Sequence, residues 1–152
     1  MPRQDTRLES EGAEFLVCGQ LLIEGIPTYK TYTQMPGYDL VATNPDRGSI
    51  ARIQVKSRWA TDYDGGFPLK NFECDFVVHV ALNRGYRVRR KKHGDDDGKG
   101  VPQFYVFPID VAKAAQSEKS TWGKVFKRNM DDPEQYRDCW DLIRSFLEMG
   151  RI

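Results

Sequence analysis

The sequence predicts an α/β fold in which a mixed central β-sheet is flanked by helices. Between residues 28 and 108, several segments have the alternation or the apolar, β-branched content of strands. Before and after them, apolar residues recur three and four positions apart, as they do in helices. Periodicity alone also allows other α+β folds.

The first helix is predicted from Ser10 to Glu24, after a polar and loosely structured start. The residues that recur at helical steps and are predicted to form its buried face are Phe15, Cys18, Leu21 and Leu22. Glu14 lies on this face, where a carboxylate is costly unless it is paired or bound to a metal ion. Two alternatives remain open. Glu14 is a partly exposed residue favoured by the helix dipole, or the nearby Glu11 takes the functional role.

A β-hairpin follows the first helix and a short strand. The predicted segments are a first strand over Thr28–Thr33 and hairpin strands over Tyr38–Thr43 and Ile50–Ser57, joined by the loop Asn44–Ser49. The loop is rich in Asn, Pro, Asp and Gly, which is typical of a turn between strands. This loop places Thr43 opposite Ile50 across the hairpin.

The remaining elements are predicted from apolar runs and helix-start signals. They are strand Cys74–Leu82, strand Gln103–Pro108, helix Ile109–Gln116 and a helix from Pro133 to about Met149. Cys74–Leu82 is almost continuously apolar, which is typical of a central strand covered on both faces. Within it, His79 is predicted to be a hydrogen-bonded core histidine. The segment Ser120–Met130 stays ambiguous.

Two polar segments between these elements are candidates for nucleic-acid binding. One is the loop Arg58–Phe72, whose basic and aromatic residues can contact a backbone or stack on a base. The other is the arm Arg84–Gly100, whose basic half can follow phosphates. The residues predicted to bind nucleic acid are Arg58, Trp59, Arg87, Arg89, Arg90, Lys91 and Lys92. The alternatives are aromatic packing on the core and a solvated arm neutralised by its own three aspartates.

The hairpin brings polar groups together on one face. In the predicted register Asp39 lies opposite Gln54, and strand alternation puts Lys56 on the same face. Hard cations such as Mg²⁺ bind carboxylates, amide carbonyls, waters and phosphates. An ammonium beside such a cation stabilises developing negative charge. The patch therefore suits metal-assisted phosphodiester cleavage, whereas the structural alternatives are a turn aspartate and an edge-strand lysine.

These residues also resemble a known motif. Asp39, followed by Gln54-Val55-Lys56, resembles the PD-(D/E)XK motif of the restriction-endonuclease-like superfamily. The similarity is to small bacterial and phage members with Gln-X-Lys in place of Glu-X-Lys. Tyr38 stands where the superfamily's name has a proline. Gln54 stands where Glu is usual, which removes one negative charge from the implied metal site.

The first helix carries a second part of the resemblance. Gly12-Ala13-Glu14 resembles the Gly-X-Glu signature that these proteins share with archaeal Holliday-junction resolvases. The resemblance covers Leu8 to Leu82 in order, and Gln103 to Ile109 more loosely. Each motif is short, but their order and spacing together are moderately specific.

The resemblance implies a restriction-endonuclease-like core in a single domain over residues 1–152. It implies a metal-dependent nuclease that hydrolyses phosphodiester bonds of DNA. Glu14, Asp39 and Gln54 would hold Mg²⁺ or Mn²⁺, and Lys56 would assist the attacking water. Two alternatives stay open: a catalytically inactive nucleic-acid-binding module on the same fold, and a non-enzymatic interaction subunit.

The composition limits partners and location. With 39% hydrophobic residues, 30% charged residues and a formal net charge of +1, nucleic-acid affinity must come from local clusters. No apolar run approaches a membrane span, and no signal peptide is predicted. Three scattered cysteines fit reduced thiols, so a cytoplasmic protein is expected. The sequence leaves homodimer formation open.

Overall fold

The computed structural model describes residues 6–31, 38–63 and 66–149 of the chain. The helices are α1 (Thr6–Ile23), α2 (Ile109–Ala114) and α3 (Asp141–Glu148). The strands are β1 (Thr28–Lys30), β2 (Leu40–Asn44), β3 (Ser49–Arg58), β4 (Gly66–Pro68), β5 (Phe76–Ala81), β6 (Gln103–Pro108) and β7 (Lys124–Phe126). In the described residues, no helix is both long enough and apolar enough to cross a membrane.

The main sheet contains five strands in the order β1-β2-β3-β5-β6. Strands β3 and β5 are parallel, and the other neighbours are antiparallel. Helices α1 and α3 pack on one face of this sheet, whereas α2 and the β4–β7 pair pack on the other. The predicted mixed sheet flanked by helices is confirmed.

The hairpin has the register that the sequence predicts. Thr43 lies opposite Ile50, and Leu40 lies opposite Ile53. One residue before β2, the backbone N–H of Asp39 donates to the carbonyl of Ile53 at 2.8 Å. Ala51 and Ile53 are fully buried under the helices. The first strand is shorter than predicted, and its expected end, beyond residue 31, lies outside the described residues.

Helix α1 differs from the prediction in its start and in its buried face. It begins at Thr6 rather than Ser10. The residues buried against the sheet are Ala13, Val17 and Leu21. Phe15 is 57% exposed and Leu22 is 53% exposed, so the predicted face was wrong for both. The helix carries two apolar stripes, and the stripe that packs on the sheet has its residues four positions apart, at Ala13, Val17 and Leu21.

The core strand β5 lies between β3 and β6, as its apolar sequence predicts. A small second sheet was not predicted from the sequence. It pairs β4 with β7 and places Phe67, which is fully buried, on the face of β5 that carries His79.

The predicted helix from Pro133 to Met149 is interrupted. A single 3-10 turn covers Pro133–Tyr136, and α3 starts only at Asp141. Between them Asp138 has a φ of 51°, a left-handed conformation that a continuous α-helix does not contain. The N–H of Asp138 donates to the carbonyl of Phe104 at 2.9 Å. This bond attaches the interruption to β6.

The basic arm, residues 84–100, is a hairpin-like excursion closed by a bridge between Arg84 and Lys99. Its aspartates form turns. Asp96 accepts a hydrogen bond from the N–H of Gly98 at 2.8 Å, and Asp97 accepts one from the N–H of Lys99 at 3.0 Å. Gly98 has a φ of 82°, and a Cβ there would lie 2.8 Å from the ring of Tyr86, so the arm requires glycine at this position.

Candidate active site

A polar cleft of about 290 Å³ lies where the N-terminal half of α1 meets the start of β2 and the middle of β3. The residues that line it are Ser10, Glu14, Tyr38, Asp39, Gln54, Val55, Lys56 and Asn71. The four residues predicted to be catalytic therefore share one cleft. The sheet register brings three of them together, and the packing of α1 on the sheet adds Glu14.

Asp39 is held at the edge of the hairpin by a hydrogen bond to the neighbouring strand. Its Oδ2 accepts a hydrogen bond from the N–H of Val55 at 2.8 Å. Burial raises the pKa of Asp39, while the Val55 N–H and the nearby charge of Lys56 act in the opposite direction. The bond fixes the carboxylate of Asp39, which also lines the cleft.

Glu14 is the group in the cleft with the most perturbed carboxyl. Burial, and then the negative charge of Asp39, raise its pKa from 4.5 to about 7. Lys30 partly offsets this rise, because its Nζ lies 3.6 Å from Oε1 of Glu14. Two carboxylates thus approach each other with incomplete neutralisation, which is the arrangement that a divalent cation relieves.

Glu11, the alternative to Glu14, lies outside the cleft. Its side chain is largely exposed and is paired with Lys30. Lys30 itself is nearly buried, with 6% of its side chain exposed, and its Nζ lies 4.1 Å from the centre of the Phe15 ring. Glu14 is therefore a cleft residue and Glu11 a surface residue, and Lys30 contacts both of them.

Lys56 is half-buried near Asp39, in the row of the sheet that continues to His79 and Tyr105. Burial lowers the pKa of Lys56, Asp39 raises it, and the positive charge of Arg58 lowers it again. The ammonium of Lys56 therefore loses its proton more readily than that of a surface lysine. Such a group can stabilise an anion or exchange a proton within the cleft.

Gln54 is 7% exposed, and its amide group has structural partners. Its Nε2 donates to the carbonyl of Asn71 at 3.2 Å and lies 4.0 Å from Sγ of Cys74. These contacts fix the amide plane between β3 and the loop that precedes β5. The side chain is thus a positioned group rather than a mobile one.

The donor set of the cleft fits a hard divalent cation. Glu14 and Asp39 supply carboxylate oxygens, and Gln54 carries an amide oxygen, which are the donor types that Mg²⁺ and Mn²⁺ prefer. In the part of the chain that the structure describes, no three His, Cys, Asp or Glu side chains are grouped as metal ligands. Amide or carbonyl oxygens, waters and substrate phosphates would therefore complete the coordination shell.

Comparison with known proteins identifies the family. A family model described as PD-(D/E)XK endonuclease matches residues 4–142. The chain belongs to the PD-(D/E)XK endonuclease family. The bacterial homing endonuclease I-Ssp6803I has a similar fold, with a TM-score of 0.59 and 22% identity over 93% of this chain and 93% of its own. This likeness confirms the restriction-endonuclease-like fold.

A second solved structure shows a weaker similarity. The Holliday junction resolvase Hjc from Archaeoglobus fulgidus matches with a TM-score of 0.48 and 13% identity, over 80% of this chain and 87% of its own. No curated protein matches the sequence significantly. Family membership places this chain among nucleases and supports nuclease activity on nucleic acid.

The predicted nucleic-acid-binding residues of this PD-(D/E)XK endonuclease fall into two groups. Arg58, Trp59 and Arg87 line a second, larger cleft beside the first. The other four, Arg89, Arg90, Lys91 and Lys92, are exposed on the arm. Among the described residues, none of these four side chains is within ion-pair distance of a carboxylate. The structure thus does not bring the two groups into one site.

Lys30 and Asn71 are site residues that sequence reasoning missed. Lys30 follows the exposed Tyr29 in β1, so its side chain points to the opposite face of the strand, toward α1. Its contact with Glu14 is visible only once the strand order of the sheet is known. Asn71 lies in a loop, and it belongs to the site because its backbone carbonyl accepts a hydrogen bond from Nε2 of Gln54. The weak signal for Lys30 was its position in a short strand of alternating Tyr and Thr.

His79 is a core residue, as predicted, but it is not hydrogen-bonded. It is 1% exposed, and neither ring nitrogen has a hydrogen-bond partner among the residues that the structure describes. Its ring stacks on Phe67 with the ring centres 5.1 Å apart. Burial lowers its pKa to about 3, so it packs as a neutral aromatic ring. The predicted hydrogen bond was wrong: the ring packs against Phe67 and Tyr105. The charged groups that act on it, Lys127 and Arg58, are cations that further lower its pKa.

Proposed function

We propose that this protein is a metal-dependent endonuclease that hydrolyses phosphodiester bonds of DNA in the cleft formed by α1, β2 and β3. The observation that supports this most strongly is the convergence of Glu14, Asp39, Gln54 and Lys56 on one cleft. They come from α1, from the residue that precedes β2 and from β3. Burial, and then the negative charge of Asp39, raise the pKa of Glu14. If these groups had only a structural role, the carboxylates would be expected to be paired fully with cations.

Glu14, Asp39 and Gln54 would hold Mg²⁺ or Mn²⁺ in this mechanism. When held there, such an ion would supply Lewis-acid chemistry to the phosphate and would help to activate the attacking water. Asp39 is the anchoring ligand, because its bond from the Val55 N–H fixes the direction of its carboxylate. Glu14 supplies the second charge. Its raised pKa means that it releases its proton when the cation binds.

Lys56 would stabilise the negative charge that develops on the phosphate and orient the attacking water. Its position next to Asp39 keeps it within the same cleft, and its burial removes competing solvent. The basic and aromatic residues beside the cleft, Arg58 and Trp59, would hold the backbone of the substrate, and the arm would add longer-range attraction.

A second candidate function is a nucleic-acid-binding module without catalysis. One observation favours it: the amide of Gln54 donates to the carbonyl of Asn71, as a structural residue does. The superfamily usually has Glu at this position, and a Glu would not donate this bond. Cleavage therefore decides between the two functions, since both predict binding of nucleic acid.

The test is a cleavage assay on duplex, four-way-junction and single-stranded DNA with Mg²⁺, Mn²⁺ or EDTA. We expect metal-dependent cleavage of at least one substrate. Asp39→Asn and Lys56→Gln should each reduce the rate by about a hundredfold or more, as the loss of a charge-stabilising group does. Asp46→Asn is the matched control, because Asp46 is exposed in the turn of the same hairpin. Binding without cleavage by the wild type would favour the inactive module.

A further inference from the structure

The cleft that contains Arg58 and Trp59 continues directly from the candidate active site. It has a volume of about 570 Å³ and shares Ser10, Val55 and Lys56 with the catalytic cleft. A strand whose scissile phosphate lies at Lys56 would therefore extend into this second cleft in one direction.

Tyr63 lies in the wall of this second cleft and is surrounded by positive charge. The guanidinium carbon of Arg58 is 4.8 Å from the centre of its ring, and that of Arg87 is 5.9 Å away. Nζ of Lys124 is 5.5 Å from the same centre and donates to the Tyr63 hydroxyl at 3.0 Å. Three cations from distant parts of the chain thus share one aromatic ring.

Each cation is brought to the ring by ordered backbone. Nε of Arg58 donates to the carbonyl of Gly66 at 2.7 Å. The backbone N–H of Arg87 donates to Asp62, the neighbour of Tyr63, at 2.7 Å. Lys124 is placed by the pairing of β7 with β4. The cluster is therefore preorganised largely by hydrogen bonds to backbone groups, and Arg87 also interacts electrostatically with the Asp62 carboxylate.

An aromatic ring attracts cations through its quadrupole but does not neutralise them. Among the described residues, none of these three cations forms an ion pair with a carboxylate. The acid that lines the second cleft is Glu9, which accepts a hydrogen bond from Ser57 at 3.2 Å. All three cations lie 4.8–5.9 Å from one ring centre, so an anion bound beside this ring interacts favourably with each of them.

We propose that Arg58, Arg87 and Lys124, positioned by Tyr63, form a second phosphate-binding subsite for the strand that is cut. This inference rests on the proposed function, because the subsite receives a phosphate next to the scissile one. Phosphate matches the cluster because guanidinium and ammonium groups both donate charge-assisted hydrogen bonds to its oxygens. The subsite fixes the register of the strand, whereas the exposed cations of the arm attract it without fixing it.

DNA binding by catalytically disabled protein tests the subsite without requiring cleavage. Binding of a short labelled duplex to Asp39→Asn protein is measured in EDTA by fluorescence anisotropy over a range of salt concentrations. Adding Arg87→Gln or Lys124→Gln should each reduce the slope of log affinity against log salt by about 0.9, the value for one phosphate contact. Lys119→Gln, an exposed lysine away from both clefts, is the matched control and should leave the slope unchanged.

Variants of Tyr63 test whether the ring positions the cations. Tyr63→Leu keeps every charge, yet it should weaken binding about tenfold, the cost of roughly one charge-assisted hydrogen bond. Tyr63→Phe keeps the ring and should restore most of the affinity. Thermal unfolding confirms that each variant is folded, and the two charge variants decide the question if Tyr63→Leu is not.

The outcomes separate this inference from the proposed function. Wild-type affinity and slope in Arg87→Gln, Lys124→Gln and Tyr63→Leu, in a protein that binds and cleaves DNA, would overturn the subsite alone. Failure of the wild type to bind DNA would overturn the subsite and the nuclease proposal together.

Discussion

The candidate active site and the basic arm contain similar charged residues in opposite surroundings. In the cleft, burial raises the pKa values of Asp39 and Glu14 and lowers that of Lys56. In the arm, Arg89, Arg90, Lys91 and Lys92 are exposed to solvent. Burying charged groups in the cleft lowers the stability of the fold. The charges of the arm have little such effect, because water solvates them.

The difference shows how one chain divides two tasks. Buried groups have altered proton affinity and fixed positions, which are the properties that bond cleavage requires. Exposed groups keep their full charge and act over about a Debye length, which suits attraction of a polyanion. Changes in the cleft should therefore alter chemistry and metal binding, and changes in the arm should alter binding and its salt dependence.

The arm provides the largest expected effect on binding. Replacing Arg89, Arg90, Lys91 and Lys92 by Ala should weaken duplex binding by more than tenfold at low salt. The slope of log affinity against log salt should become shallower by up to about 3.6, at about 0.9 per phosphate contact. The rate at saturating DNA should not change, because the arm lies outside the cleft.

A control with the same loss of charge isolates position from net charge. In this control variant, four exposed cations outside the arm are replaced by Ala: Lys70, Lys113, Lys119 and Arg128. If the arm variant keeps a salt slope as steep as that of the wild type, the arm makes no phosphate contact. Equal effects of the two sets would show that net charge alone matters.

Gln54→Glu should have a smaller effect, on metal binding and stability. The added charge should tighten Mn²⁺ binding about tenfold, since the charge of the ligands tunes affinity. The metal-free protein should lose about 1–3 kcal/mol of unfolding free energy, because the bond from Nε2 to Asn71 is lost. Calorimetry and thermal unfolding measure the two quantities.

Gln116→Glu is the matched control for this change. Gln116 also donates from its amide to backbone carbonyls, those of Leu69 and Gly123, but it lies outside the cleft. Its replacement should reduce stability without affecting Mn²⁺ binding. Unchanged Mn²⁺ affinity in Gln54→Glu would make Gln54 structural and favour the inactive module.

Local patterns in the sequence were sufficient to predict the hairpin. Turn residues and strand alternation fix the pairing of Thr43 with Ile50, and this register puts Asp39 and Lys56 into one cleft. The site was predictable because most of it lies within one hairpin. Glu14 was predicted from its position on the apolar face of the first helix and from the resemblance of that helix. Helical periodicity alone cannot show which strand the helix crosses.

Other features depend on contacts between distant segments. Strands β4 and β7 are three residues each and pair across a long stretch of chain, so neither has a sequence pattern of its own. The interruption at Asp138 depends on its bond to Phe104. On α1 either apolar stripe satisfies periodicity, and only the surface of the sheet selects Val17 over Phe15.

Protonation of Glu14 links the active-site account to measurable pH effects. Its pKa is about 7 in the folded chain and 4.5 ordinarily, so the folded state binds this proton more tightly than the unfolded state does. Stability of the metal-free protein is therefore lost as pH rises from 4.5 to about 7, because Glu14 ionises earlier in the unfolded state. Glu14→Gln removes this cost, so the variant should gain stability relative to the wild type as pH rises through this range.

The most direct test of the account is the Mn²⁺ affinity of the wild type, Glu14→Gln and Glu11→Gln, measured by calorimetry from pH 5 to pH 8. A ligand must lose its proton to bind metal, so wild-type affinity should fall by about tenfold per pH unit below the pKa of Glu14. Glu14→Gln should bind weakly with a flatter dependence on pH, and Glu11→Gln should retain the wild-type dependence. Wild-type affinity and pH dependence in Glu14→Gln would contradict the assignment of Glu14, and a wild type that binds no Mn²⁺ would contradict the metal site as a whole.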